Sequence, residues 1–222
     1  MLSDLFSLIF PKTCLHCNET LISSESFICT KCKVDLPLTN DLEEKENHLF
    51  QKFAFEPLVN FAAAYLHFNK EGIAQKLLHH LKYEGKKEIG NLIGNWFGDT
   101  LSKKIKPDII IPVPLHKSKM RSRGYNQSEG FAEGLSESFS DSEFMPNIIS
   151  RTKKTTTQTQ KSKVDRWLNI ENIYSTPSIS LDGKNVLLVD DVVTTGATIG
   201  MLIERVKEAG VSSINVACIA RG

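Results

Sequence analysis

Several things are scarce in this 222-residue chain, and each absence removes a class of protein. No stretch approaches the roughly 20 consecutive apolar residues needed to span a bilayer. Charge of one sign is missing too: 27 Lys and Arg face 26 Asp and Glu, for a net charge of +1. No global field draws the chain to nucleic acid or an anionic membrane, so any polyanion site must be a local patch. The opening MLSDLFSLIFPK lacks a basic leader and a small-residue cleavage site. Its apolar Leu5–Phe10 is expected to pack on the protein itself, and the chain is expected to be soluble and cytoplasmic. Neither GxxxxGK[ST] nor a strand followed by GxGxxG occurs, which excludes a P-loop and a dinucleotide fingerprint. With 41% hydrophobic content, the chain can bury one good core and carry a small appendage.

Cysteine is sparse, but four of the five crowd into the first 32 residues. Cys14-Leu-His-Cys17 and Cys29-Thr-Lys-Cys32 are two CxxC pairs separated by eleven residues. Two disulfides are the rival reading, yet thiols stay reduced in a chain that is not secreted. Zinc accounts better for the spacing, since each CxxC turn aims two thiolates at one ion and two turns complete a tetrahedron. With all four positions filled by protein, such a metal holds structure and does no chemistry. Residues 1–38 are therefore expected to form a Cys₄ zinc-binding domain, zinc-ribbon-like, folded by its metal. His16 lies inside the first pair as an alternative ligand. Cys218, in the apolar run Ile214–Ala220, reads as a core thiol.

Residues 39–60 read as a linker. Within it Asn40–Asn47 carries Asp41, Glu43, Glu44 and Glu46, the pattern of a solvated face. From residue 61 to 222, strands alternate with helices. Phe61–Phe68 has strand character, Gly72–Lys82 and Leu92–Leu101 have helical spacing, and Asp108–Pro114 is an apolar strand closed by prolines. A helix is expected over Gln127–Phe139, a long loop over Arg151–Lys163, a strand at Val186–Val189, a helix at Ile199–Ala209 and a strand at Ser213–Ala220. The alternation predicts an α/β fold, a parallel sheet flanked by helices.

The last forty residues carry the chemistry. Val186–Val189 delivers Asp190 and Asp191 to the carboxyl edge of the sheet, where open α/β sheets bind ligands. Adjacent carboxylates oppose each other's ionisation, so the pair makes sense where a cation or sugar hydroxyls lie between them. Val192 and then Thr194, Thr195, Gly196, Ala197 and Thr198 lead into a helix. Small residues and hydroxyls at a helix N-terminus expose backbone amides as a nest for a phosphate. Acids for hydroxyls and metal beside a phosphate cradle describe a ribose 5-phosphate.

The stretch VLLVDDVVTTGAT closely resembles the motif with which type I phosphoribosyltransferases bind 5-phosphoribosyl-1-pyrophosphate (PRPP). That resemblance implies the type I phosphoribosyltransferase fold, with Asp190 and Asp191 on the ribose 2′- and 3′-hydroxyls and Thr194–Thr198 on the 5′-phosphate. A narrower likeness covers almost the whole chain. The CxxC pairs, His79-His80-Leu81-Lys82-Tyr83-Glu84-Gly85, Ile111-Pro-Val-Pro-Leu-His116, Arg123-Gly-Tyr-Asn-Gln127 and Thr155-xx-Gln158 leading to Arg166-xx-Asn169 resemble the ComF family, in the same order. Members of that family are linked to natural competence and the handling of incoming single-stranded DNA. One departure is Lys161, where the family usually has Leu.

In this fold the turn Leu115–Met120 takes the place of a pyrophosphate loop, with His116, Lys117 and Lys119 as donors. Arg121 and Arg123, with Asn126 and Gln127 opening a helix, add a second anion-friendly edge. Arg151–Asn169 holds six basic residues, among them Arg151 and Arg166, against the single acid Asp165, and also contains Gln158. In related transferases such a loop closes over the reacting carbon. Lys82 and Tyr83 are placed by the same likeness towards a second-substrate hood.

Two functions follow and stay open at this point. One is a transferase that uses PRPP and Mg²⁺, with Asp190 and Asp191 stabilising the positive charge that develops on the sugar. Its acceptor is unspecified, and no residue stands out as a general base. The other is a silent PRPP sensor that binds single-stranded DNA through its basic loops, or an adaptor for DNA-uptake proteins.

Overall fold

The apolar runs become the middle of a parallel sheet. The structure is a computed structural model that describes residues 11–151 and 173–222. Five strands, β1 (Val59–His67), β2 (Ile109–Pro112), β3 (Glu143–Phe144), β4 (Asn185–Val193) and β5 (Ser213–Arg221), lie in the order β1-β5-β4-β2-β3. Every pair is parallel. Central β5 is buried along Ser213–Ala220 and β2 along its whole length, as expected for strands covered on both faces.

Helices cover both sides. Among the described residues they are α1 (Thr30–Val34), α2 (His48–Gln51), α3 (Ile73–Tyr83), α4 (Glu88–Leu101), α5 (Lys117–Arg123), α6 (Gln127–Ser136) and α7 (Ala197–Glu208). One core joins α3, α4 and α6 to the sheet through Leu77, Leu81, Ile93, Phe97, Phe131 and Leu187. The other joins α7 and α2 to the opposite face through Ile199, Ile203, Leu49, Leu188 and Val216. Cys218 belongs to this second core and is fully buried.

Helices α4 and α6 touch at the backbone. A Cβ on Gly94 would lie 2.4 Å from the Phe131 carbonyl oxygen, and one on Gly134 would lie 2.1 Å from that of Asn91. Real side chains do not tolerate such distances, so glycine sets how closely α6 approaches. The N-terminus of α6 is in turn what reaches the functional edge.

Two local expectations change. Asn40–Asn47 is not uniformly a solvated face: Asp41 is 1% exposed and Asn47 is 2% exposed. The cause is the free edge of β1, whose unpaired backbone groups need partners. Asp41 Oδ2 accepts from the Ala64 amide at 3.0 Å, Asn47 Nδ2 donates to the Ala62 carbonyl at 2.8 Å, and the Thr39 hydroxyl donates to the Ala64 carbonyl. Arg221, the last residue of β5, forks onto Asp41 with contacts of 3.0–3.2 Å. The expected turn at Leu115–Met120 instead winds into α5, because the His116 side chain caps it by accepting from the Ser118 amide at 3.1 Å. Leu5–Phe10 and the loop after Arg151 lie outside the described residues.

Candidate functional site

The four early cysteines converge. The sulfurs of Cys14, Cys17, Cys29 and Cys32 all lie within 4.8 Å of one another, and His16 is not part of the group. Cys17 Sγ and Cys29 Sγ are 3.7 Å apart. Tetrahedral coordination at about 2.3 Å per bond needs sulfurs about 3.8 Å apart, so this set can hold a metal ion such as zinc. Burial opposes ionisation of Cys14, yet amide donors at Cys17, Cys29 and His16 outweigh it and bring that thiol down to about 6. Burial, followed by the neighbouring thiols, pushes Cys32 up well above its ordinary value. A cation at the centre is what would let all four act as thiolates. Cys14, Cys29, Cys32 and Leu36 share the core of Phe97 and Leu81, so this corner is packed onto the sheet domain.

At the other functional edge, β4 outruns its neighbour. Strand β2 pairs with it only to Pro112 opposite Val189, and the Val113 amide then donates to the Val189 carbonyl at 2.8 Å. Pro114 has no N–H to continue the ladder. On the opposite side β5 stays paired with β4 as far as Val193. Asp190–Val192 are therefore held on one flank and open on the other.

The opening is a cavity of about 170 Å³, lined by Asp190, Asp191 and Val192 on one wall and by Lys119, Arg123, Asn126, Gln127 and Arg151 around it. Lys82, Ser128 and Thr198 line it as well. A smaller adjoining hollow of about 40 Å³ is formed by Asp190, Val192 and Thr194–Ile199. Here Gly196 sits at φ +80° as the N-cap of α7 and brings no side-chain cap; apart from the Ala197 amide, which donates to the Thr195 hydroxyl at 3.4 Å, the first turn offers its amides to a ligand. A side chain at Gly196 would also press on Phe53 at 3.1 Å.

The two aspartates have different partners, as expected for consecutive residues of a strand. Asp190 Oδ1 accepts from the Ser128 hydroxyl at 3.0 Å and from the Asp191 amide at 2.8 Å. Burial, and then the charge of Asp191, push its carboxyl up to about 7. Asp191 Oδ2 instead meets the ammonium of Lys82 at 2.9 Å. Around them Asn126 Nδ2 donates to the Val113 carbonyl at 3.0 Å, tying the start of α6 to the end of β2, and Arg123 donates to Gln127 Oε1 at 2.8 Å.

The structure thus brings Asp190, Asp191, Val192, Thr198, Lys119, Arg123, Asn126, Gln127 and Arg151 around one cavity, with Thr194, Thr195, Gly196 and Ala197 around its neighbour. His116, Lys117 and Arg121 do not line either; His116 is engaged in capping α5. Gln158 and Arg166 lie outside the described residues. Ser128 also belongs to the site, and its only mark in the sequence is that it directly follows the Arg123–Gln127 motif. Lys82 lies against the acidic pair, a place that periodicity could not reveal. Among the described residues no helix is long and apolar enough to cross a membrane.

Comparison with known proteins identifies the domain that carries this edge. The family model for the phosphoribosyl transferase domain matches residues 82–222. Competence protein ComFC of Bacillus subtilis is 35% identical over 149 residues, covering 64% of this chain and 58% of its own. Competence protein F of Haemophilus influenzae is 38% identical over 117 residues, covering 52% of this chain and 51% of its own. The chain thus spans little more than half the length of these curated relatives. A purine phosphoribosyltransferase of Pyrococcus horikoshii is similar at 23% identity over 57% of this chain and 76% of its own, with a TM-score of 0.37. The expected likeness to ComF proteins stands, and with its parallel sheet and matching domain the chain belongs to the phosphoribosyl transferase domain family.

Proposed function

We propose that this edge binds PRPP together with Mg²⁺, and that the protein serves in handling incoming single-stranded DNA. The observation that carries the first part is the junction of two hollows at Asp190: a carboxylate pair and cationic rim on one side, an uncapped helix N-terminus on the other. The 5′-phosphate takes the amides from Thr194 to Thr198. The 2′- and 3′-hydroxyls donate to Asp190 and Asp191. The pyrophosphate lies in the larger cavity, against Lys119, Arg123 and Arg151 with the side-chain amides of Asn126 and Gln127.

Magnesium suits this donor set, because it favours one or two carboxylates combined with substrate phosphates. When bound, it supplies charge neutralisation to the departing pyrophosphate. The chain's own residues then do the rest. Asp190 and Asp191 hold the sugar and oppose the positive charge that grows at C1 as its bond to pyrophosphate lengthens. Transfer replaces that bond with one from C1 to an acceptor, whose identity no described residue fixes.

The four-cysteine cluster is proposed to hold structural zinc, since every tetrahedral position is taken by a protein sulfur. The DNA role rests on the competence names of the relatives and on the local cluster of cations, given the chain's near-neutral balance.

Calorimetric titration with PRPP and MgCl₂ tests the binding. A pyrophosphate-release assay against free bases, amines and single-stranded DNA then tests turnover. Saturable heat with PRPP is the expected outcome, and no heat at millimolar PRPP contradicts the reading.

A further inference from the structure

The segment His79–Gly85 is left without a task by the ribose and phosphate contacts. It spans the last turn of α3 and the two residues that end it, and two tethers hold it. The Tyr125 hydroxyl donates to the Leu81 carbonyl, and the Arg123 guanidinium lies 5.5 Å from the centre of the Tyr83 ring. Both tethers come from the Arg123–Asn126 stretch that also lines the cavity. Lys82 sits between them, with Nζ 2.9 Å from Asp191 Oδ2 and the two side chains only 21% and 16% exposed.

A largely buried ion pair resists the removal of either partner, because the charge left behind is uncompensated. Sugar hydroxyls that reach Asp191 donate to the same oxygens and compete with the ammonium. Ribose 5-phosphate brings those hydroxyls, but its anion lies at the far end of the sugar, by α7. It leaves Lys82 without a counter-charge. A ribose that also carries an anion on C1, next to the 2′-hydroxyl, hands Lys82 a new partner as it takes away the old one.

We propose that Lys82 determines the specificity of this site for a ribose 5-phosphate bearing an anionic group at C1: it is the counter-ion of Asp191 in the free protein and the partner of the anomeric anion in the complex. This rests on the PRPP reading above. The pair also means that Mg²⁺ arriving alone meets a carboxylate already neutralised, so the metal enters with the pyrophosphate.

The test is titration of the full, metal-loaded chain and its Lys82→Met and Lys82→Arg variants with three probes: PRPP with MgCl₂, ribose 5-phosphate with MgCl₂, and MgCl₂ alone. Methionine keeps most of the apolar stem and removes the charge. Lys82→Met is expected to weaken PRPP roughly 10- to 100-fold, the scale of one hydrogen bond to a charged group. Ribose 5-phosphate affinity is expected to hold or rise, MgCl₂ alone to gain binding, and Lys82→Arg to keep the preference for PRPP. If Lys82→Met lacks a cooperative thermal transition, Lys82→Gln is judged by the same ratio. An unchanged ratio of the two affinities makes the pair merely structural and overturns the inference while sparing the PRPP site. A wild-type chain that binds neither sugar phosphate overturns both.

Discussion

The Ser128 hydroxyl donates to Asp190 across 3.0 Å, from the first turn of α6 to the open flank of β4. This bond favours the ionised carboxylate, against the burial and the Asp191 charge that oppose it. Ser128→Ala is expected to raise the Asp190 carboxyl further and to weaken PRPP by roughly fivefold, about 1 kcal/mol, near neutral pH. Calorimetry at pH 7 and pH 8.5 checks this, and the loss should shrink at the higher pH. A loss independent of pH argues against a link through Asp190.

Stability should carry the same signature. Asp190 is pushed up to about 7 in the native chain, against about 3.9 in an unfolded one. Between those values the native state keeps a proton that the unfolded state has released. The Asp190 contribution is complete below about pH 4, is lost as pH rises to about 7 and stays lost above. Urea unfolding of wild type and Asp190→Asn across this range should give a difference that falls with pH. A difference that rises with pH contradicts the assignment.

Gly134→Ala should be costly although it adds one methyl group. The new Cβ would meet the Asn91 carbonyl at 2.1 Å, where backbone cannot swing aside. Overpacking of this kind costs typically about 1–3 kcal/mol. Thermal unfolding reads the loss directly. PRPP affinity should fall as well, because α6 carries Asn126, Gln127 and Ser128 to the cavity.

Metal removal should act locally first. Elemental analysis is expected to give one zinc per chain, and chelation or Cys32→Ser to release it. Cys14, Cys29 and Cys32 share a core with Leu36 and Phe97, so metal loss should also lower the thermal midpoint of the whole chain. Absence of stoichiometric metal contradicts the four-cysteine site.

What was legible beforehand was whatever the chain writes locally. Ile109–Pro112 and Val186–Val189 are continuous apolar runs, and only a strand covered on both faces wants such a run. The CxxC spacing and the DDVVTTGAT stretch likewise carry their chemistry in consecutive residues. Helix α5 is not legible in the sequence because KSKMRSR has no apolar stripe, its start being fixed by the His116 cap. Asp41 looked solvated because nothing near it reveals the free edge of β1 or Arg221. The bonds Ser128–Asp190 and Lys82–Asp191 are tertiary, joining residues that only the sheet order brings together.

The most direct test of the central claim is calorimetric titration of PRPP with MgCl₂ into wild type and into the double variant Asp190→Asn, Asp191→Asn, each with an intact cooperative unfolding transition. Saturable binding by wild type and its abolition in the double variant is the outcome that follows from this account. Equal affinity in the two proteins would contradict it.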